Sequence, residues 1–163
     1  MPDADSIELS KMRLIKAQRE HMAAQVNVDA GYFDVANTRA YYTAFHAIRA
    51  VLALEGVDFK THKQTIGYFN EHYIHQGIFN HEYGKIITSA STSRTKCDYE
   101  DRYEATREEA DQNIVNTGKF LAAVERYVEA ILETECIGDT KLSNYEGFEL
   151  DSEYEDDDYD DFL

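Results

Sequence analysis

The only proline in the chain is Pro2. Everything after it can therefore run as uninterrupted helix, because no pyrrolidine ring removes an N–H or clashes with the preceding turn. Punctuation falls to glycine. Gly31, Gly56, Gly77 and Gly138 stand after or between stretches of helical periodicity, where helix ends are expected. Five helices are predicted. The first covers 6–29, capped by Ser6, with an apolar side of Ile7, Leu14, Ile15 and Met22. The second covers 32–55. The third starts at Thr61, where Thr61 and Gln64 fit a capping box, and stops at Gly77. The fourth covers 80–101, although the Ser/Thr-rich run 88–93 has low helix propensity. The fifth covers 106–135, opening on the capping box of Thr106 and Glu109, with Ile114, Phe120, Leu121, Val124, Val128, Ile131 and Leu132 at helical spacing. No segment alternates long enough for a strand. The expected fold is all-α, an antiparallel four- to five-helix bundle over residues 1–136, followed by an acidic tail over 137–163.

Charge supports that division. Residues 137–163 hold 11 of the 32 acids and one of the 16 Lys and Arg, a net of −10; the rest of the chain carries −6. A mildly acidic body argues against broad, non-specific binding of nucleic-acid phosphates but leaves room for a local basic cleft. Cys97 and Cys136 lie far apart and form no CxxC pair, which fits a reducing compartment. The N-terminus lacks a signal-peptide pattern, and the apolar runs are too short to span a bilayer. A cytoplasmic protein that does not engage a membrane is expected.

The second helix carries the most chemistry. At about 100° per residue, Tyr41, Phe45, Ile48 and Leu52 share one side and form the expected core stripe. Arg39, Tyr42, His46 and Arg49 share another. Two guanidinium groups, an imidazole and a phenol on one face offer donors for a phosphate and a group that moves protons near neutral pH. The plainer alternative is that the arginines pair with acids from other helices and the stripe is structural.

Several separated motifs resemble those of small stand-alone HEPN-domain proteins. They are Tyr32, Ala36 and Asn37, then Arg39 to Tyr42, then Phe45 to Ala47 with Arg49. Thr61, His62, Lys63 and Phe69 follow, then Arg94 with Asp98 and Tyr99, and Glu108 to Ala110 opening the last helix. The resemblance spans residues 10–130. It implies a bundle that forms a homodimer, has a minimal nucleotidyltransferase as partner, and belongs to a toxin–antitoxin or defence module that binds RNA or nucleotide. On this basis Asn37, Tyr42, Arg49, His62, Asp98 and Tyr99 are candidate binding residues, and Tyr99 is the candidate for modification by the nucleotidyltransferase. Many members act as metal-independent ribonucleases, for which His46, Arg39 and Arg94 are the candidate catalytic groups here. The pattern departs from the family where an Arg is followed by a His late in the bundle: no His follows Arg94. Metal-free RNA cleavage needs a group that removes the 2′-hydroxyl proton and one that protonates the leaving oxygen. His46 or His62 would have to supply both. The readings in competition are a binding or regulatory HEPN protein, an active endoribonuclease, and a structural helical interaction module.

Other constellations carry less. His72, His75 and His81 cluster around Gly77 without a cysteine or a recognised ligand spacing, so no metal or cofactor is expected. P-loop, GxGxxG and nucleophile-elbow motifs are absent. The tail reads as a solubilising extension, disordered when alone. Its second reading is an interaction segment, since Tyr145, Phe148, Tyr154, Tyr159, Phe162 and Leu163 alternate with acids, which could lie over a basic cleft and mask it.

Overall fold

The computed structural model describes residues 2–135, and the predicted tail of 137–163 lies outside the described residues. Five α-helices, and no strand among the described residues, form the body: α1 (Ala4–Asp29), α2 (Phe33–Leu54), α3 (His62–Phe69), α4 (His81–Tyr99) and α5 (Arg107–Glu135). A π-helical turn, Asn70–Ile74, continues α3.

The predicted ends are set by caps. Gly31, at φ +87°, follows α1, and there the Gly31 N–H donates to Val28 O while the Tyr32 N–H donates to Asn27 O. Gly56, at φ +69°, repeats the arrangement after α2, with the Gly56 N–H on Ala53 O and the Val57 N–H on Leu52 O. Both are Schellman closures, and their left-handed residue is one that L side chains adopt at a cost. Thr61 accepts from the Gln64 N–H at 3.2 Å. At α5 the capping box is reciprocal: Thr106 Oγ1 accepts from the Glu109 N–H at 3.2 Å, and Glu109 Oε2 accepts from the Thr106 N–H at 3.3 Å. The cap of α1 is Asp3, not Ser6; Ser6 is the residue whose N–H the Asp3 carboxylate accepts, at 2.8 Å.

α2 is the centre of the bundle and packs against α1, α4 and α5. Fifteen of its 22 residues are buried, so it is covered on nearly every side rather than along one stripe. Ile48, Val51 and Leu52 meet Phe69 and Tyr73 from α3 and its π turn, Ile87 of α4, and Phe120, Val124 and Val128 of α5. Towards α1 the contact is made of small residues: Ala36 and Ala40 with Ala24, and Ala44 and Ala47 with Ala17. Alanine here lets two backbones approach closely, and Ser10 bonds Ala50 O at 2.7 Å across the gap.

The apolar side expected of α1 is corrected, and the fourth helix holds through its weakest stretch. Ile7 and Leu14 pack on the core, but Ile15 and Met22 are exposed. The inner face of α1 runs instead through Ser10, Arg13, Ala17, Ala24 and Val28. The run 88–93 is helical despite its composition. Thr88, Thr92 and Thr95 each donate a hydroxyl to the carbonyl four residues back, at 3.0 Å, so their polar groups are satisfied inside the helix.

Candidate functional site

Arg94 sits two-thirds of the way along α4, aimed at α2. Its Nε donates to Asp98 Oδ2 at 2.9 Å, one helical turn on, and its Nη2 donates to the Tyr42 hydroxyl at 3.2 Å. The guanidinium carbon lies 5.2 Å from the centre of the Tyr41 ring and 5.4 Å from that of Tyr42, so the cation rests against both rings. Asp98 is fixed from the other side, since Thr38 donates to its Oδ1 at 3.0 Å. Arg94 keeps 3% side-chain exposure against 31% for Asp98.

His62 enters from the first turn of α3. Its Nδ1 shares a hydrogen bond of 2.7 Å with the Tyr41 hydroxyl, and its ring stacks on Phe45 at 3.8 Å between centres. The Tyr42 ring stands edge-on to it at 5.8 Å. Tyr41, read from the sequence as core only, is thus both core and the link between α2 and α3. Three helices bring Arg94, Tyr41, Tyr42 and His62 together.

His46 lies one turn beyond Tyr42, ring centres 5.9 Å apart, and is buried. Burial, then the positive charges of Arg49, Lys16, His62 and Arg13, lower its pKa from 6.5 to about 3. The imidazole is therefore neutral across the physiological range. It is suited neither to donating a proton nor to holding one between steps at neutral pH, which runs against the catalytic role expected of it.

The arginines of the expected stripe are engaged with acids. Arg39 Nη1 reaches both carboxylate oxygens of Glu20 on α1, at 3.1 and 3.0 Å, while its guanidinium lies 5.1 Å from the Tyr42 ring centre. Arg39 keeps 34% side-chain exposure and stands on the rim of the cluster. Burial raises the Glu20 pKa, and Arg39 holds part of that rise back. Arg49 reaches Asp58 Oδ2 at 3.5 Å, and Arg13 of α1 reaches the same oxygen at 2.8 Å. Arg13 also donates to the Arg49 carbonyl at 3.2 Å. Arg13, Lys16, Glu20 and Asp58 were missed in the sequence. The available signal was the recurrence of Ser10, Arg13 and Ala17 at helical spacing with Glu20, which places charged residues on the inner face of α1.

Asn37 is placed differently from expectation. It is fully buried: its Oδ1 accepts from Asn113 of α5 at 2.8 Å, and its Nδ2 lies 3.7 Å from Cys97 Sγ. The amide is spent on joining α2, α4 and α5, so Asn37 packs the bundle instead of meeting a ligand. Tyr99, at the end of α4, is 40% exposed. Among the described residues no cluster of three metal-ligating side chains occurs, and no helix is long and apolar enough to cross a membrane.

The model of the HEPN domain matches residues 10–127. The chain is 30% identical over 120 residues to a Methanocaldococcus jannaschii protein named "Putative toxin MJ0605", covering 73% of this chain and 89% of that protein. It is also 30% identical over 91 residues to a UPF0332 protein of Thermotoga maritima, covering 56% of this chain and 69% of the relative. Among solved structures, that of ST0689, an archaeal HEPN homologue, superposes with a TM-score of 0.59 at 18% identity, over 73% of this chain and 97% of that one. The matched span runs from the second turn of α1 to the second half of α5 and takes in the whole Arg94–Tyr42–His62 cluster, and on this ground the chain belongs to the HEPN domain family.

Proposed function

We propose that the cluster of Arg94, Tyr42 and His62, rimmed by Arg39, Asp98 and Tyr99, is a site for a phosphate-bearing ligand, RNA or nucleotide, in a HEPN protein of a toxin–antitoxin or defence-type module. The observation that carries this is the convergence of a guanidinium from α4 and an imidazole from α3 on adjacent tyrosines of α2. A guanidinium binds a phosphate through paired N–H donors, and tyrosine and histidine rings offer faces on which a base stacks. The chain acts as a homodimer with a minimal nucleotidyltransferase as partner. Tyr99, exposed at the end of α4, is the acceptor for that partner. A nucleotidyl group there adds negative charge next to Asp98 and occludes the rim.

A second reading, metal-independent RNA cleavage, gains one specific feature. His62 is half-buried and oriented by Tyr41, as a proton-transfer imidazole requires, whereas His46 is held neutral. In this reading His62 moves the protons, and Arg94 with Arg39 stabilises the charged phosphorane.

Binding is measured by fluorescence anisotropy of a short labelled single-stranded RNA and by calorimetry with ATP, on the wild type, Arg94→Ala, His62→Ala and, as control, Arg107→Ala. Losses at Arg94 and His62 with none at Arg107 support the site. RNA and ATP binding that is absent, or unchanged in all variants, removes it. Growth arrest on expression, relieved by His62→Ala but not by His46→Gln, distinguishes cleavage from binding. Intact mass after co-expression with a nucleotidyltransferase from the same locus tests Tyr99, with Tyr99→Phe as the control.

A further inference from the structure

We propose that an open cavity between the π turn and the first half of α4 is a second binding site, for a small phosphomonoester that also carries hydroxyl or amino donors. It is separate from the Arg94 cluster. Lys85 and Arg94 are nine residues apart on α4, which sets them about 14 Å apart along the axis and on opposite sides of the helix.

The cavity holds about 500 Å³, inside the range of roughly 300–1,000 Å³ that small-molecule sites occupy. One wall is α4, where His81, Gly84, Lys85, Thr88 and Ser89 follow each other at helical spacing. The facing wall is Asn70, Ile74 and His75. The wider π turn brings these three to one side, and in it the His75 N–H donates to the Asn70 carbonyl at 2.9 Å. Turns of this kind occur frequently at functional sites. His72, the third histidine near Gly77, does not line the cavity and packs on Tyr68 at 4.0 Å between ring centres. His75 and His81 remain, with no carboxylate or thiol beside them in the lining, a set that suits an anion better than a metal ion.

Two features define the ligand. The first is charge. Lys85, His75 and His81 line the cavity and no acid does, in a body that carries −6. Glu71 and Glu82, next in sequence to Asn70 and His81, lie outside the lining. Lys85 is exposed and makes no ion pair among the described residues. An ammonium, two imidazoles and the Ser89 hydroxyl supply the donors that a tetrahedral dianion takes up. Thr88 already gives its hydroxyl hydrogen to the Gly84 carbonyl, at 3.0 Å, and adds an acceptor.

The second feature is an acceptor inside the cavity. Asn70 Oδ1 is buried with no hydrogen-bond partner among the described residues. A Cβ on Gly84 would stand 3.9 Å from it and 3.3 Å from Ile74 Cγ2, so the oxygen faces helix backbone where glycine leaves the room that a side chain would take. A buried acceptor left unsatisfied is costly, and a ligand N–H or O–H placed there relieves it. Inorganic phosphate meets the first feature alone. A phosphomonoester of a polyol or of an amino-bearing compound meets both.

The test is an NMR titration of the full, isotope-labelled chain with ribose 5-phosphate and with methyl phosphate, which has the same anionic group and no hydroxyl or amine beyond it. Saturable amide shifts confined to residues 70–75 and 81–89 are expected, with ribose 5-phosphate bound several-fold more tightly than methyl phosphate. Lys85→Gln weakens both ligands about fivefold or more, while Lys119→Gln, exposed on α5, changes neither. Gly84→Ala, which helix propensity favours, narrows the cavity and weakens ribose 5-phosphate. Asn70→Ala retains methyl phosphate and erases the preference for ribose 5-phosphate. No saturable shift up to about 20 mM ligand overturns the site. So does unchanged affinity in Lys85→Gln. Shifts centred on Tyr42, His62 and Arg94 overturn it too, and would place the phosphate in the other cluster. Equal affinity of the wild type for the two phosphates overturns the part given to Asn70, and with it the ligand class.

Discussion

The Tyr41 hydroxyl and Nδ1 of His62 lie 2.7 Å apart, and this hydrogen bond ties the central helix to the start of α3. Tyr41 is 1% exposed, so its phenol reaches the imidazole from inside the core. The bond orients the ring that stacks on Phe45 and faces Tyr42. Tyr41→Phe keeps the packing and deletes the bond. Stability falls by about 0.5–1.5 kcal/mol in urea unfolding. The His62 nitrogen resonances move towards a mixed tautomer. Unchanged resonances would show that the bond does not set the tautomer.

Arg94 is held by two donors at once, Nε to Asp98 and Nη2 to Tyr42. Arg94→Ala removes the guanidinium from the Tyr42 hydroxyl and from the Asp98 carboxylate, which keeps only its bond from Thr38, and costs about 2–4 kcal/mol. Arg94→Lys restores the charge but cannot fill both contacts from a single ammonium, so it recovers less than half of that loss. Thermal and urea unfolding of the two variants decide it. Full recovery by lysine would mean that charge alone matters here.

His46 makes stability depend on pH. Its folded pKa, about 3, lies below the 6.5 of the unfolded chain. Between those values the unfolded state binds the extra proton, so the stabilisation is fully present above 6.5 and declines as the pH falls, by up to ~1.4 kcal/mol per unit. Glu20, whose pKa is raised by burial, works in the opposite sense nearer the ordinary carboxylate range. The His46 slope is therefore read between pH 6.5 and about 5. Urea unfolding of the wild type weakens across this window, and His46→Gln flattens the dependence. An equal slope in the variant would assign it to other groups.

Much of the fold was legible because local chemistry and the global arrangement agree. Gly31 and Gly56 stop helices by the backbone conformation they permit, and Thr61 and Thr106 start them by the bonds they accept. The interior faces were harder to read. α1 presents Ser10, Arg13 and Ala17 inward, a polar and small set that a search for large apolar residues passes over while it selects the exposed Ile15 and Met22. α2 reads as amphipathic, yet its polar side is covered by Arg13 and Glu20 of α1 and by Arg94 of α4. Of the candidate site, the Arg94–Asp98 pair is visible as an i, i+4 spacing. The Tyr41–His62 bond is not, because it joins residues 21 apart, and a tyrosine on a core stripe announces only its ring. The burial that silences His46 is likewise set by three helices at once.

Gly118 and His21 give a prediction about packing between α5 and α1. A Cβ on Gly118 would lie 2.8 Å from His21 Cε1, closer than carbon atoms approach, and His21 Nδ1 is itself buried without a hydrogen-bond partner among the described residues. In an open helix, Gly→Ala gains about 1 kcal/mol from propensity. Here the imidazole has to leave its place between the helices, and overpacking of this kind costs about 1–3 kcal/mol. Gly118→Ala is therefore net destabilising. His21→Ala removes the obstructing ring, so in the double variant the alanine at 118 becomes neutral or favourable, with a coupling energy of about 1–2 kcal/mol. Urea unfolding of the four proteins in the cycle measures it. Additive effects would place the ring in a position from which it swings away freely, and the contact between α1 and α5 would then be looser at this point than the 2.8 Å approach implies.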